Sequence, residues 1–512
     1  MPVDHDSIAS PDRQAGDRPS GVRREETVGS NAGAVAPPNP TQNGLAAWQS
    51  PVDPPSFRLR TRWLTAFARH VRLCTDALAA SAERETGKPT WETIVADVLP
   101  LLASLAWNAK HAERILGRRR RSGRAWWQLG QRHWVERAPV GRVLVIATWN
   151  YPVQLLGIQL AQSLAAGNRT DVKPSERCPE THRLLCELAW RAMDDVGLDR
   201  SWLVLHDHRR EEGSRLLRET MFDHVVFTGS TAVGRSIAEA CARTLTPSTL
   251  ELSGHDTAIV LADADPKLAA KVLWNGLTMN AGQTCMAPRR VLVVASIYRR
   301  FLAELAPLAG AAQPLRLVDA AAAERCVHLA RAAVAAGGRS LNGQIEQPAS
   351  GTHSGTHLRP MAIVDCPANT GLFDGDHFGP VVAVTPVASL DEALVLHASM
   401  QALATSVFTN DVAGVRAIAH RFGSSFVVVN DCILPTAHPA ASIAGRRLSG
   451  WGASRGEEGL RALSREVAFV ATGRIRTPPE QPTESVLAWI RRFAGLKPAS
   501  RNSSSTTSGD FR

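Results

Sequence analysis

The run Asn280, Ala281, Gly282, Gln283, Thr284, Cys285, Met286, Ala287, Pro288 sets a cysteine among small and polar residues, directly before the β-branched run 291–294. Gly282, Gln283 and Thr284 suit a tight turn that presents a side chain to a cavity. Cysteine is the most nucleophilic side chain near neutral pH once its thiolate is stabilised. The competing reading is a packing cysteine. Four further places carry chemistry. Asn150, in Thr148-Trp149-Asn150-Tyr151-Pro152, has an amide able to donate to a developing oxyanion, or is a turn residue before Tyr-Pro. Lys173-Pro174-Ser175-Glu176 offers a lysine and a carboxylate for vicinal hydroxyls such as those of a ribose, or is a solvated loop. Gly229-Ser230-Thr231-Ala232-Val233-Gly234 allows close approach of backbone N–H groups to a phosphate at a helix N-terminus, or is a tight strand-to-helix turn. Glu251, between Leu250 and Leu252, is a candidate general base if partly desolvated, or an outward-facing strand residue.

The elements that must position these residues alternate. Residues 140–147 read as a buried strand, followed by a helix near 153–166. A strand at 169–173 precedes a helix at 178–195, and strands at 202–206 and 223–228 precede a helix ending near 243. Further strands fall near 258–261, 291–294, 381–384, 405–408, 425–430 and 467–470. Such alternation implies a parallel α/β sheet, with several of the candidate residues at C-terminal strand ends, where open α/β sheets bind ligands. Upstream, Leu59, Trp63, Phe67, Val71 and Leu78 recur at helical spacing, and a second helical run, 91–115, carries Val95, Val98, Leu101, Leu102 and Leu105 on one stripe. Residues 126–136 read as an extended hairpin around Gly130.

A chain of 512 residues exceeds what one core supports, so two or three lobes are expected. Its 44% hydrophobic and 21% charged content fits a soluble globular class. The net charge of +10 is spread widely, and no nucleic-acid motif accompanies the cluster Arg118–Arg121 beside Trp126 and Trp127, so nucleic acid is not an expected partner. Eight cysteines without paired spacing imply free thiols, a reducing, cytoplasmic setting and no zinc-finger metal site. Residues 1–54, rich in Pro, Gly, Ser, Asp and Asn, read as a disordered tail, and no secretory signal is expected there. Within 477–512, residues 485–497 hold an apolar stripe beside Arg491, Arg492 and Lys497, read either as a helix packed on its own protein or as a peripheral membrane contact.

The order of these motifs resembles that of the aldehyde dehydrogenase superfamily, most closely the branch with class 3 and fatty aldehyde dehydrogenases. Thr-Trp-Asn-Tyr-Pro, Lys-Pro-Ser-Glu, GSTAVG, Glu-Leu-Ser-Gly, GQTC and Phe-Gly-Pro-Val follow in the family's order, and Glu251 precedes Cys285 by the family's 34 residues. The resemblance covers about 57–475. It implies a Rossmann-type cofactor domain at 55–252, a catalytic domain at 253–424, and a return to the cofactor domain with an oligomerisation strand at 425–476. The hairpin near 126–136 would join that arm in a homodimer or homotetramer. It implies Cys285 as nucleophile, Asn150 with the Cys285 N–H as oxyanion donors, and Glu251 as the base that activates water on a thioester. Its cofactor residues would be Trp149, Lys173, Ser175, Glu176, Gly229, Ser230, Gly234, Leu252, Asp376 and Phe378. The cofactor would be NAD, with NADP possible, since Glu176 would repel a 2′-phosphate. The substrate would be an aldehyde, apolar and long-chain or aromatic, oxidised to a carboxylic acid. A CoA-acylating dehydrogenase and a silent scaffold of the same fold are the alternatives. Three positions depart from the family: Ser253 and His255 in Glu251-Leu252-Ser253-Gly254-His255, and Asp376, one methylene shorter than the family's glutamate.

Overall fold

A computed structural model describes residues 53–122, 130–345, 355–375, 377–398, 402–473 and 483–496. The expected tail at 1–54 therefore falls almost wholly outside the described residues, as do Trp126, Trp127, Asp376 and Lys497.

Two sheets carry the architecture. The first has the strand order Gly450–Trp451, Ser248–Leu252, His224–Gly229, Arg142–Ile146, Arg169–Lys173, Leu203–Leu205. All its pairings are parallel except that of Gly450–Trp451. Its central strands are dense in Val, Leu and Ile and buried on both faces, as parallel strands sandwiched by helices must be. Helix Gln154–Ala166 is buried along its whole length, because Phe57–Leu73 and Leu99–Leu116 cover its outer side. The second sheet has the order Arg339–Ser340, Met361–Val364, Val381–Val387, Arg290–Val294, Thr257–Val260, Ala404–Phe408, Phe426–Val429. It too is parallel except at Arg339–Ser340.

The chain leaves the first sheet at Leu252 and enters the second at Thr257. The boundary drawn at 424 falls one strand early: Phe426–Val429 pairs in parallel with Ala404–Phe408 and so belongs to the second sheet. Return to the first sheet comes only at Gly450–Trp451, against Leu250 and Glu251.

A third, three-stranded sheet joins Arg119–Arg120, Gln131–Pro139 and Ser464–Thr472. Of the hairpin expected around Gly130, residues 126–129 lie outside the described residues. Gln131–Pro139 pairs with Arg119–Arg120 on one side and with the late strand along nine positions on the other. Phe469 and Val470 of that late strand stay exposed.

The apolar stripe read at 91–115 is also corrected at its start. A π-helical turn, Ile94–Val98, inserts into the helix and shifts its phase. Trp91, Val95 and Leu99 consequently face outward, while Glu92, Thr93 and Asp97 are buried. Beyond the π-turn the stripe resumes, and Val98, Leu101 and Leu105 are core. Two helices that the sequence reading passed over, Arg210–Glu219 and Ala295–Gly310, cover the sheets. Helix Glu484–Phe493 contains no buried residue, and its Trp489 and Phe493 rings lie 4.8 Å apart on an exposed face. Among the described residues no helix is long and apolar enough to cross a membrane.

Candidate active site

The two sheets present opposite strand ends to the site. In the first sheet Lys173 and Phe227 are both paired with Ile146, and Gly229 is paired with Leu252. The segments after these strands therefore emerge together, at C-terminal ends, carrying Trp149, Asn150, Ser175, Glu176, Ser230 and Ser253. In the second sheet the relevant residues precede the strands: Cys285 before Arg290–Val294, Phe378 before Val381–Val387, and Leu403 before Ala404–Phe408.

The cysteine turn is a buried, left-handed segment. Asn280, Ala281 and Gly282 have φ of 51°, 52° and 70°. Its carbonyls are tied down by a buried arginine: Arg289 Nη1 donates to Gly282 O at 2.7 Å and Nη2 to Thr284 O at 2.8 Å. The Asn280 N–H donates to the buried Glu92 carboxylate. Gly282 is required by space as well as by φ, since a Cβ there would lie 2.5 Å from the Gly379 carbonyl carbon. From 280 to 294 every residue is buried except Cys285, which is half-buried. Its neighbours are Met286, Leu403, Ala404, Phe426 and Ile443, an apolar wall. All eight cysteines are free. Burial, reinforced by the Asp256 and Glu251 carboxylates, pushes the Cys285 thiol up to about 12, while Arg455 and Arg289 oppose the shift.

Asn150 reaches this turn. Its Nδ2 donates to Gln283 O at 3.1 Å, and the Thr148 hydroxyl donates to its Oδ1 at 3.2 Å, which fixes the orientation of the amide. Asn280 Nδ2 in turn donates to the Asn150 carbonyl at 2.7 Å. The next residue, Tyr151, lies with its hydroxyl 2.6 Å from that of Thr284 and its ring 3.7 Å from the Lys88 ammonium. Lys88 is itself paired with Asp97 at 2.6 Å, both side chains fully buried.

Glu251 sits on the last turn of pleat before the chain changes sheets, opposite Thr228 on one side and Gly450 on the other. It is buried, not outward-facing, and its Oε1 has no hydrogen-bond partner among the described residues. Burial raises its carboxyl above the usual range, and the Ser454 and Thr228 hydroxyls with the Arg455 guanidinium pull against that rise. Thr228 accepts a hydrogen bond from Gln159 Nε2 at 3.0 Å.

The candidate cofactor residues line the other side of this edge. Lys173 Nζ lies 3.3 Å from Glu176, whose other oxygen is 3.8 Å from Arg210. Burial would raise the Glu176 carboxyl, but its own backbone N–H, Lys173 and Arg210 outweigh that and hold it below the usual range. Ser175 is buried, and its N–H donates to His182 Nδ1 at 3.1 Å. Ser230 caps helix Thr231–Thr244, accepting from the Val233 N–H at 3.4 Å, so the helix start faces the strand ends. Gly229 ends the preceding strand. Gly234 and Leu252 are buried against each other: a Cβ on Gly234 would lie 2.4 Å from Leu252 Cδ2, so the glycine lets the helix close on the strand. Trp149 meets Phe378 edge-to-face at 5.9 Å, and Phe378 holds φ of 47°. This donor set, a helix start, a lysine–carboxylate pair and two aromatic rings, fits a dinucleotide.

Arg455, Asp256, Arg289 and Tyr151 were not singled out from the sequence. Asp256 is buried and accepts from the Leu403 and Ala404 N–H groups at 2.6 and 3.1 Å, holding the apolar wall beside Cys285. The available signal was weak: charged residues next to apolar strands, and an arginine in a glycine-rich loop.

A model of the aldehyde dehydrogenase family matches residues 46–468. The chain belongs to the aldehyde dehydrogenase family. As a member it is an oxidoreductase of aldehydes. It is 29% identical over 419 residues to a 4,4′-diapolycopene-4,4′-dial dehydrogenase of Cytobacillus firmus, covering 80% of this chain and 89% of the relative. It is 26% identical over 450 residues to aldehyde dehydrogenase family 3 member A2 of Mus musculus, covering 85% and 90%. Among solved structures, PnpE of Pseudomonas sp. WBC-3 in complex with nicotinamide adenine dinucleotide superposes with a TM-score of 0.75 at 25% identity, covering 82% of this chain and 86% of that one.

Proposed function

We propose that this aldehyde dehydrogenase oxidises an apolar aldehyde, long-chain or aromatic, to its carboxylic acid with NAD through a covalent intermediate on Cys285. The observation that carries this reading is the exposure of Cys285 alone within a buried turn that also hydrogen-bonds Asn150. The Cys285 sulfur attacks the carbonyl carbon and gives a thiohemiacetal, with Glu251 accepting the thiol proton. Because burial keeps the thiol protonated near neutral pH, a nearby base is needed, and the Glu251 carboxylate is the one whose charge reaches Cys285 together with Asp256. Asp256 is engaged by two backbone N–H groups, whereas Glu251 keeps one unpartnered oxygen. The Asn150 amide spends one N–H on Gln283 and retains the other for the oxyanion. A bound nicotinamide supplies the acceptor for the hydride given up by the thiohemiacetal carbon, leaving a thioester. Glu251, once it has passed the thiol proton on to solvent, deprotonates water for attack on that thioester, which releases the carboxylic acid and returns Cys285.

Lys173, Ser175 and Glu176 would hold the adenosine ribose. The start of helix Thr231–Thr244, with Gly229 and Ser230, would hold the pyrophosphate. Trp149 and Phe378 would flank the nicotinamide end, and Gly234 and Leu252 would support the helix from behind. An ionised Glu176 favours NAD over NADP, and PnpE is a structural relative solved with NAD. The apolar wall around Cys285 and the diapolycopene-dial relative support an apolar substrate.

The test is a panel of short, long-chain and aromatic aldehydes assayed with NAD and NADP in parallel. Long or aromatic substrates should drive NADH formation, and Cys285→Ala should abolish it. Absence of NAD(P)H formation by reduced wild-type enzyme across the panel refutes the reading.

A further inference from the structure

Arg455 is a buried arginine, 6% exposed, on the loop that returns the chain to the first sheet. Among the described residues no carboxylate pairs with it. Its Nη1 instead donates to the Thr436 carbonyl at 2.8 Å, and its backbone N–H donates to Gln162 Oε1 at 2.9 Å. Its φ is 62° and its ψ 168°, a region that costs any residue with a Cβ free energy and persists only where surroundings enforce it. Its loop touches both reacting groups: Gly450 is paired with Glu251, and Ser454 is paired with Ile443, which packs in the cluster that holds Cys285. A buried guanidinium without a carboxylate partner is expensive unless it serves charges that arise nearby.

We propose that Arg455 is a positioning residue for the reaction, a clamped, uncompensated guanidinium whose charge favours the thiolate of Cys285 and the carboxylate of Glu251. The proposal rests on the reading of Cys285 as nucleophile. The groups acting on Cys285 are Asp256 and Glu251, which oppose its ionisation, and Arg289 and Arg455, which favour it. Arg289 is already engaged with the carbonyls of Gly282 and Thr284, and it holds the turn. Arg455 also acts on Tyr151, whose other charged neighbours are Glu92, Asp97 and Lys88. Arg455 thus acts on both the nucleophile and the base, and no other described cation does so.

The experiment follows carboxamidomethylation of Cys285 by iodoacetamide from pH 7 to 10, read by mass spectrometry of the Cys285 peptide, in full-length wild type, Arg455→Gln and Arg455→Lys. Gln keeps a donor for Thr436 and removes the charge; Lys keeps the charge. The expected result is an alkylation profile moved upward by about one pH unit in R455Q, roughly a tenfold slower reaction at a fixed pH below it, and within about threefold of wild type in R455K. A folded R455Q whose profile superimposes on wild type overturns the proposal. So does an R455K that shifts as far as R455Q. If R455Q does not fold, R455K decides alone: a shift of about one unit or more overturns the role of charge, and a profile close to wild type upholds it. Wild type in which Cys285 resists alkylation throughout sinks the nucleophile reading itself, an outcome distinct from an unmoved R455Q profile.

Discussion

Replacing Gly282 by alanine tests how tightly the cysteine turn is held. Two costs arise. The position has φ of 70°, and a left-handed conformation costs an L-residue about 1–2 kcal/mol. The added Cβ would lie 2.5 Å from the Gly379 carbonyl carbon, and 2.6 Å from both its oxygen and the Pro380 nitrogen. These are backbone atoms, which cannot swing away, so overpacking adds about 1–3 kcal/mol. The sum is about 2–5 kcal/mol, a loss of about 2–5 °C in melting temperature at about 2.1 cal/mol/K of unfolding entropy per residue in a chain of 512 residues. Relief would come from moving the turn away from residues 379–380, which disturbs the Arg289 bonds to Gly282 and Gly379 and displaces Cys285. A displacement of about 1 Å lowers kcat by about a hundredfold. Gly197→Ala is the control: φ there is 74°, but nothing lies within 4 Å of the added Cβ. It should show the conformational cost, about 1–2 kcal/mol, with activity intact. Thermal melts and aldehyde oxidation of the two variants, side by side, decide the matter. Equal melting losses, with G282A still active, would refute the tight packing of the turn on Gly379.

Asp97→Ala should cost about 3–5 kcal/mol in denaturant titrations, because it strands the fully buried Lys88 and removes the acceptor of the Val153 and Gln154 N–H groups. A loss below about 1 kcal/mol would show that the pair is not held apart from water. Glu251→Gln should abolish turnover and alter the pH dependence of stability. The folded carboxyl is raised above its unfolded value by burial, so the folded state binds the extra proton between the two, and wild-type stability falls as pH rises through that window. Melting temperatures of E251Q and wild type should therefore converge near pH 4 and separate above it, with E251Q the more stable at pH 8. The opposite ordering at pH 8 would show that Glu251 is not buried as an ionised group.

Much of the first sheet was legible because its signals are local. Val143, Leu144, Val145 and Ile146 form a run that only a buried parallel strand explains, and the turn residues that follow sit next to it in sequence. The strand Arg169–Lys173 and the cap at Ser230 follow from the same kind of local information. The π-turn Ile94–Val98 was not legible. It inverts the expected faces so that Glu92 and Asp97 can reach Asn280, Val153 and Gln154, and those partners lie 56 to 188 residues away. The edge strand Phe426–Val429 was misassigned because neither strand's sequence states its neighbour.

The sequence by itself determined the family and the alternating α/β order, and it marked Cys285, Glu251 and Asn150 as the candidate reactive set, since motif order and spacing along the chain carry that information. Only the tertiary structure decided their chemistry. Whether Cys285 is a thiol or a thiolate, and whether Glu251 is raised or lowered, depends on burial and on charges brought in from Asp256, Arg289 and Arg455. Electrostatic energy depends on distance through space and on exclusion of water. Neither quantity is written in the order of residues.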